Sequence, residues 1–363
     1  MDQQDYDINL RDCHKSDGYL NSRDMVINGL GGGRNHAIDI MKFLAALLIT
    51  NSHMGILYPE DVRFLATGGA VGNALFFFCS GFTLFKKPMT GVFDFPDWYK
   101  RRIVRIYPSV FAVAIIACLF FNTHKDIIQI IIGSGWFVNC IMLYYIIIYA
   151  IGSYCKNSIP FIAVIIAVAT SIWFYFIYDI QKISIYKLED SNICILFYFI
   201  FMLLGAKIGS LSEKTYNHIR PLVDTNDIRH LLLMFVYLGV FYFFLFLGSK
   251  ERYFIFQLLS ILPLILAIYY IYRACQFKFI INFYNANKVV NFVVRFVGGL
   301  CLEIYLVQQY LFTYQLNALF PLNILIIIAS IIVVSYISRT LSRFLSQTID
   351  NKPYEWKKIV NTY

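Results

Sequence analysis

Apolar residues in this chain come in long unbroken runs, without the alternation of strands or the one-sided stripe of surface helices. Crossing a hydrocarbon core of about 30 Å takes roughly 17 to 25 helical residues. Runs of that length fall near 38–57, 68–85, 104–121, 136–154, 159–178, 192–209, 230–248, 253–272, 291–314 and 322–338. The pattern predicts an all-α fold, a polytopic membrane helical bundle of about ten transmembrane helices. A shorter apolar stretch, Ile127 to Ile132, suits a re-entrant or interfacial piece before the fourth helix. Residues 1–37 read as a polar amino-terminal tail, 38–338 as one membrane domain and 339–363 as a basic carboxyl-terminal tail. The first 37 residues lack the apolar core and small-residue cleavage site of a secretory signal, so insertion is expected to start at an uncleaved first helix. No inverted repeat of the kind found in many transporters stands out.

Composition agrees. Of 363 residues, 59% are hydrophobic and only 15% charged, whereas a soluble domain carries about a quarter charged residues. With the amino terminus in the cytoplasm, 24 of the 31 lysines and arginines fall on the cytoplasmic side and six on the other, Lys42 lying inside the first helix. The positive-inside rule then predicts that both termini are cytoplasmic. The net charge of +9 would suggest nucleic acid in a soluble protein. Here the basic residues sit in loops and set topology, so the expected partner is the lipid bilayer and no nucleic acid is expected. Seven of eight cysteines lie in or beside apolar runs with no CxxC or Cys/His spacing, so they read as packing residues and no metal is expected. Gly31, Gly32 and Gly33 follow no strand and read as a linker rather than a phosphate loop.

Ionisable residues inside the runs are the exceptions. The stretch KFLAALLITNSH places Lys42 and His53 eleven residues apart, almost three helical turns, so both project from one face with roughly 16 Å between them along the axis. Asp39 lies three residues before Lys42, where a carboxylate suits a helix amino terminus. Two readings are open. Asp39 and Lys42 form an interfacial ion pair with His53 at headgroup level, or the stripe is functional, since histidine is the side chain best suited to proton transfer near neutral pH. After the second helix comes KKPMTGVFDFPDWYKRRIVRIYP, with Lys86, Lys87, Lys100, Arg101, Arg102 and Arg105 near the membrane. Arg102 and Arg105 at i and i+3 put two guanidinium forks on one side of a helix start, a geometry suited to phosphate oxygens. From this segment alone, topology and contact with anionic lipid are the stronger explanation, since juxtamembrane basic clusters commonly do nothing more. Pro108 suits a break in the first turn of that helix. In GGLCLEIYLVQQYLF, Glu303 sits deep in an apolar helix and needs a partner or a wet cavity. Lys42 matches it in depth and sign, and a structural ion pair and a role in a site are both open. Gly298 and Gly299 suit close helix packing.

Together these pieces resemble the acyltransferase-3 family of integral membrane O-acyltransferases, which modify bacterial surface polysaccharides and related glycans. Lys42 and His53 meet its R/K, ten residues, H pattern, preceded by Arg34 and Asp39 at the usual offsets. GNALFFFCSGF is similar to the FFxxSGF block through Phe77, Phe78, Ser80, Gly81 and Phe82. Arg102 and Arg105 meet its RxxR motif. Trp136 and Phe137 followed by Tyr144, and Ile304 to Leu306 as IYL, match two later signatures. The resemblance runs from about Arg34 to Arg339. Many members continue IYL into xH, where this chain has Val307 and Gln308, which leaves His53 as the histidine matched to a family site.

The resemblance implies acetyl-CoA as acyl donor on the cytoplasmic side, and as acceptor a hydroxyl of a cell-surface glycan or lipid-linked sugar, generally across the membrane. It implies residence in the bacterial cytoplasmic (inner) membrane. Arg102 and Arg105, with Arg101 beside them, would hold CoA phosphates. His53 would act as general base or as a transient acyl carrier, and Lys42 would line the donor path or anchor the site electrostatically. Ser80, Asn51 and Tyr305 are possible donors to the oxyanion, with Asp39, Trp136 and Glu303 in support. A transporter or flippase using Asp39, Lys42 and Glu303 as a buried charge network is the alternative. It leaves the RxxR segment and the Lys42 to His53 spacing unexplained.

Overall fold

The computed structural model describes residues 35–85, 94–121, 136–181, 184–186, 193–211, 227–349 and 354–360, and these are helical, with no strand among them. Arg34, Lys86, Lys87, the glycines at 31–33 and the stretch from Ile127 to Ile132 lie outside the described residues. The principal helices are α1 (His36–His53), α2 (Gly69–Phe85), α3 (Phe95–Phe120), α4 (Trp136–Tyr154), α5 (Ile159–Gln181), α6 (Ile193–Gly209), α7 (Asp227–Gly248), α8 (Ile261–Cys275), α9 (Lys278–Ala286), α10 (Lys288–Gly299), α11 (Cys301–Val307) and α12 (Leu322–Ile349). Eight helices among the described residues are long and apolar enough to cross a membrane. The pair α10 and α11, bent by 57°, is a broken span or a re-entrant loop, and the remaining predicted run forms α6, 17 residues long. The protein is thus an all-α polytopic bundle.

Three helices differ from the sequence reading, each for a local reason. The third helix begins at Phe95, with proline in its first turn and Asp97 against the positive end of its dipole. Pro108 therefore falls inside the helix, and Arg102 and Arg105 stand about two to three turns in rather than at a helix start. The run at 291–314 is broken at Leu300, directly after Gly298 and Gly299, glycine being a poor helix former. The last helix continues past 338 to Ile349 and carries Arg339 and Arg343.

Close helix approach organises the centre. Without a hydrophobic drive between helices in lipid, small residues that let backbones meet supply the contact. A methyl at Gly81 would overlap the Met202 carbonyl oxygen, and one at Gly205 would overlap the Phe78 carbonyl oxygen, so α2 and α6 touch backbone to backbone. A methyl at Gly72 would come within 3.1 Å of the Ala45 oxygen, which ties α2 to α1. The turn into α2 passes through Gly68 at φ +104°, a left-handed conformation suited to glycine. Outward faces of α5, α7 and α12 expose Phe161, Phe235 and Val333, as a hydrocarbon solvent permits.

Gly81→Ala and Gly205→Ala are expected to separate α2 from α6 and lower the detergent melting temperature, since overpacking a tight contact costs about 1–3 kcal/mol or more. Gly239→Ala serves as control, because a methyl there meets nothing within 4 Å. Equal melting of all three proteins would show that the α2–α6 contact is slack.

Candidate active site

Because α1 is continuous from His36 to His53, Lys42 and His53 do share one face, roughly 16 Å apart along the axis. Asp39 is buried, Lys42 is half-buried, and His53 is exposed as the last residue of the helix. The chain leaving His53 is pinned by side-chain amides. Asn323 Nδ2 donates to the Leu57 carbonyl at 2.9 Å and Asn317 Nδ2 to the Ile56 carbonyl at 2.8 Å. Asn51 Nδ2 donates to the carbonyls of Leu65 (2.7 Å) and Thr67 (2.9 Å), while its oxygen accepts from the Tyr58 hydroxyl at 2.7 Å. Asn51 thereby holds the loop, its amide satisfied on both sides.

At the other end of the stripe, α10 crosses α1 just before the break. A methyl at Gly298 would sit 3.1 Å from the Asp39 carbonyl oxygen and 3.6 Å from Lys42 Cβ. Lys42 lies within electrostatic reach of Cys79 and Cys301. Glu303, in the first turn of α11, is fully buried, yet its ion pair is with Arg339 of α12 (Oε1 to Nη1, 2.9 Å), not with Lys42. Depth and sign made Lys42 the expected partner because Arg339 had been assigned to the tail. Ser109 Oγ of α3 donates to the same oxygen at 2.6 Å and lies 3.0 Å from Ser342 Oγ. The other carboxylate oxygen, Oε2, has no hydrogen-bond partner. Glu303 thus ties α3, α11 and α12 together.

The arginine pair belongs to this end, since Cys79 Sγ of α2 approaches the Ile38 carbonyl of α1 at 4.0 Å and Tyr145 of α4 lies within electrostatic reach of the neighbouring Ser80, of Arg105 and of Arg102. Arg102 is half-buried, its guanidinium 5.0 Å from the centre of the Trp98 ring, and its Nε is screened from solvent with no hydrogen-bond partner. Arg101 and Arg105 are exposed. The arrangement places three arginines at one end of the bundle and an imidazole at the opposite end.

Between the ends runs an aromatic seam. Phe137 packs at 4.6 Å against both Phe76 and Tyr305, and at 5.2 Å against Phe77, ring centre to ring centre. Trp136 stacks on Tyr198 at 5.9 Å. Trp136, Tyr305 and Ser80, singled out separately in the sequence, therefore lie along one seam formed by α2, α4, α6 and α11. Tyr145, Arg339 and Ser109 were missed. Ser335, Ser338 and Ser342, all buried and spaced helically around Arg339, are the signal that marked an inward polar face on the last helix.

These features define a multi-pass membrane protein with an ionisable stripe running from a basic end to a histidine. A family model described as an acyltransferase domain, that of acyltransferase-3, matches residues 35–340; the chain belongs to this family and is a membrane acyltransferase. No curated protein and no solved structure matches it.

Proposed function

We propose that the protein transfers an acyl group, acetyl in the simplest case, from cytoplasmic acyl-CoA to a hydroxyl of a cell-surface or lipid-linked glycan in the bacterial cytoplasmic membrane. The observation that carries this reading is the division of the site within an acyltransferase fold. The half-buried Arg102, whose Nε has no partner, and the exposed Arg105 at one end suit the phosphates of CoA, and the imidazole at the other suits a proton acceptor. Arg102 and Arg105 bind the donor phosphates, with Arg101 adding positive charge at the rim. Lys42 lines the path of the pantetheine arm. His53 takes the proton from the acceptor hydroxyl as its oxygen attacks the thioester carbonyl carbon. The tetrahedral oxyanion collapses, the carbon–sulfur bond breaks, and the departing thiolate takes the proton from the imidazolium. The products are a glycan ester and free CoA. With Asn51 committed to the loop and Ser80 beside Cys79 at the arginine end, Tyr305 remains as the donor to the oxyanion.

The test follows CoA release from acetyl-CoA by the full chain in nanodiscs, with and without crude surface glycan. Loss of charge-assisted contacts in the Arg102→Ala/Arg105→Ala protein is expected to raise the donor KM about tenfold to a hundredfold, with little change in acceptor KM. An unchanged donor KM removes the arginines from the donor site. Absence of any CoA release by the wild type removes acetyl-CoA as donor.

A further inference from the structure

Asn73 of α2 is a polar side chain in an apolar seam, and the reaction above does not use it. It lies on the same face of α2 as Ser80, two turns away. Phe76 and Phe77, one turn on from Asn73 on the same side of α2, pack on Phe137, and Phe77 lies 5.9 Å from Tyr198, which is within electrostatic reach of the Asn73 amide and whose own hydroxyl donates to the Tyr186 carbonyl at 3.5 Å. The amide oxygen Oδ1 of Asn73 is screened from solvent and without a partner. An unmet acceptor at such a position is costly unless something that binds there donates to it.

Its neighbours say what that is. The half-buried Trp136 ring stacks on Tyr198 with 28° between the planes, and Tyr305 reaches the same seam through Phe137. Depth also fits. Gly72, the preceding residue, packs on Ile49 of α1, which is four residues, or about 6 Å, inward from His53. An amide oxygen lacking a donor, in a seam bordered by the half-buried rings of Trp136 and Tyr305 and on the stretch of α2 that packs against α1 one turn inward from the base, matches the chemistry of a sugar, whose hydroxyls donate and whose C–H face packs on rings.

We propose that Asn73 is a specificity-determining residue for the acceptor. Its side-chain oxygen accepts a hydrogen bond from a sugar hydroxyl next to the one acylated, while Trp136 supports the ring. An acceptor without that hydroxyl leaves the buried oxygen unpaired and is discriminated against. The proposal rests on the acyl-transfer reading above.

The experiment measures acetyl transfer by the full chain in nanodiscs to octyl glucoside, galactoside and N-acetylglucosaminide and to their monodeoxy analogues. Asn73→Leu is expected to raise the KM of an accepted glycoside about tenfold, the worth of one neutral hydrogen bond, with donor KM and acceptor-free acetyl-CoA hydrolysis unchanged. One monodeoxy analogue should lose the same factor with wild type and nothing more with the variant. Asn73→Ala, too small to overlap its neighbours, should behave alike, and a wild-type donor KM in either variant reports an intact bundle. The proposal is overturned, with acyl transfer intact, if acceptor KM is unmoved, if donor KM moves with it, or if all deoxy analogues lose equally in the variant. Hydrolysis of acetyl-CoA with no glycoside accepted overturns a sugar acceptor and this proposal with it, and no CoA release at all overturns the acyl-transfer reading.

Discussion

His53→Ala protein in nanodiscs is expected to lose acyl transfer by about two to four powers of ten, the usual contribution of a positioned general base, while binding acetyl-CoA as wild type does. The separation is expected because His53 stands at the end of α1, exposed, about 16 Å along the helix from Lys42 and at the opposite end of the bundle from Arg102. Its backbone is held by others: Asn51, Asn317 and Asn323 fix the segment from Met54 to Thr67 through the carbonyls of Ile56, Leu57, Leu65 and Thr67. Removing the imidazole should therefore leave the fold in place. His53→Gln, which keeps size and hydrogen bonding but cannot carry the proton, should be as inactive as alanine. Incubation with radiolabelled acetyl-CoA in the absence of acceptor separates the two roles for the imidazole. A general base leaves no label on the protein, whereas an acyl carrier leaves label that His53→Ala lacks. Normal turnover by His53→Ala would move the base elsewhere.

The same residues show how far the sequence could be read. Spans were legible because crossing lipid requires long apolar runs, and each of the ten predicted runs has a helical counterpart. The Lys42 to His53 register was legible because it lies within one helix, where spacing alone fixes geometry. What spacing cannot fix is which distant helix supplies a partner. Glu303 was seen to need one, but hydropathy ended the last helix at 338 and hid Arg339, the partner that α12 supplies by continuing to Ile349. The break at Leu300 was obscured because Cys301 to Leu306 restore the apolar run after the two glycines. Asn51 shows the opposite error. It was weighed for chemistry because it is polar and near His53, yet its amide serves three contacts in the adjoining loop. Asn73 lies inside the GNALFFFCSGF block, and spacing does not mark it, since its neighbour Tyr198 is on another helix.

The Glu303 node should yield the largest change in stability. Its carboxylate is fully buried and bound by Arg339 and Ser109. Removing one partner of a buried ion pair leaves an uncompensated charge and costs about 3–5 kcal/mol, whereas replacing both with apolar residues is often close to neutral. Glu303→Leu and Arg339→Leu are each expected to lower the melting temperature in detergent sharply, and the double variant to recover most of the loss. Activity is expected to follow a different order. Glu303 sets the start of α11, which carries Tyr305 into the seam against Phe137, so the double variant should be stable yet slower than wild type, with donor KM near normal because Arg102 is untouched. A double variant no more stable than the single ones would mean that the carboxylate and guanidinium contribute independently. Full activity in Glu303→Leu at wild-type stability would remove the pair from both roles and return Glu303 to an incidental place in the bundle.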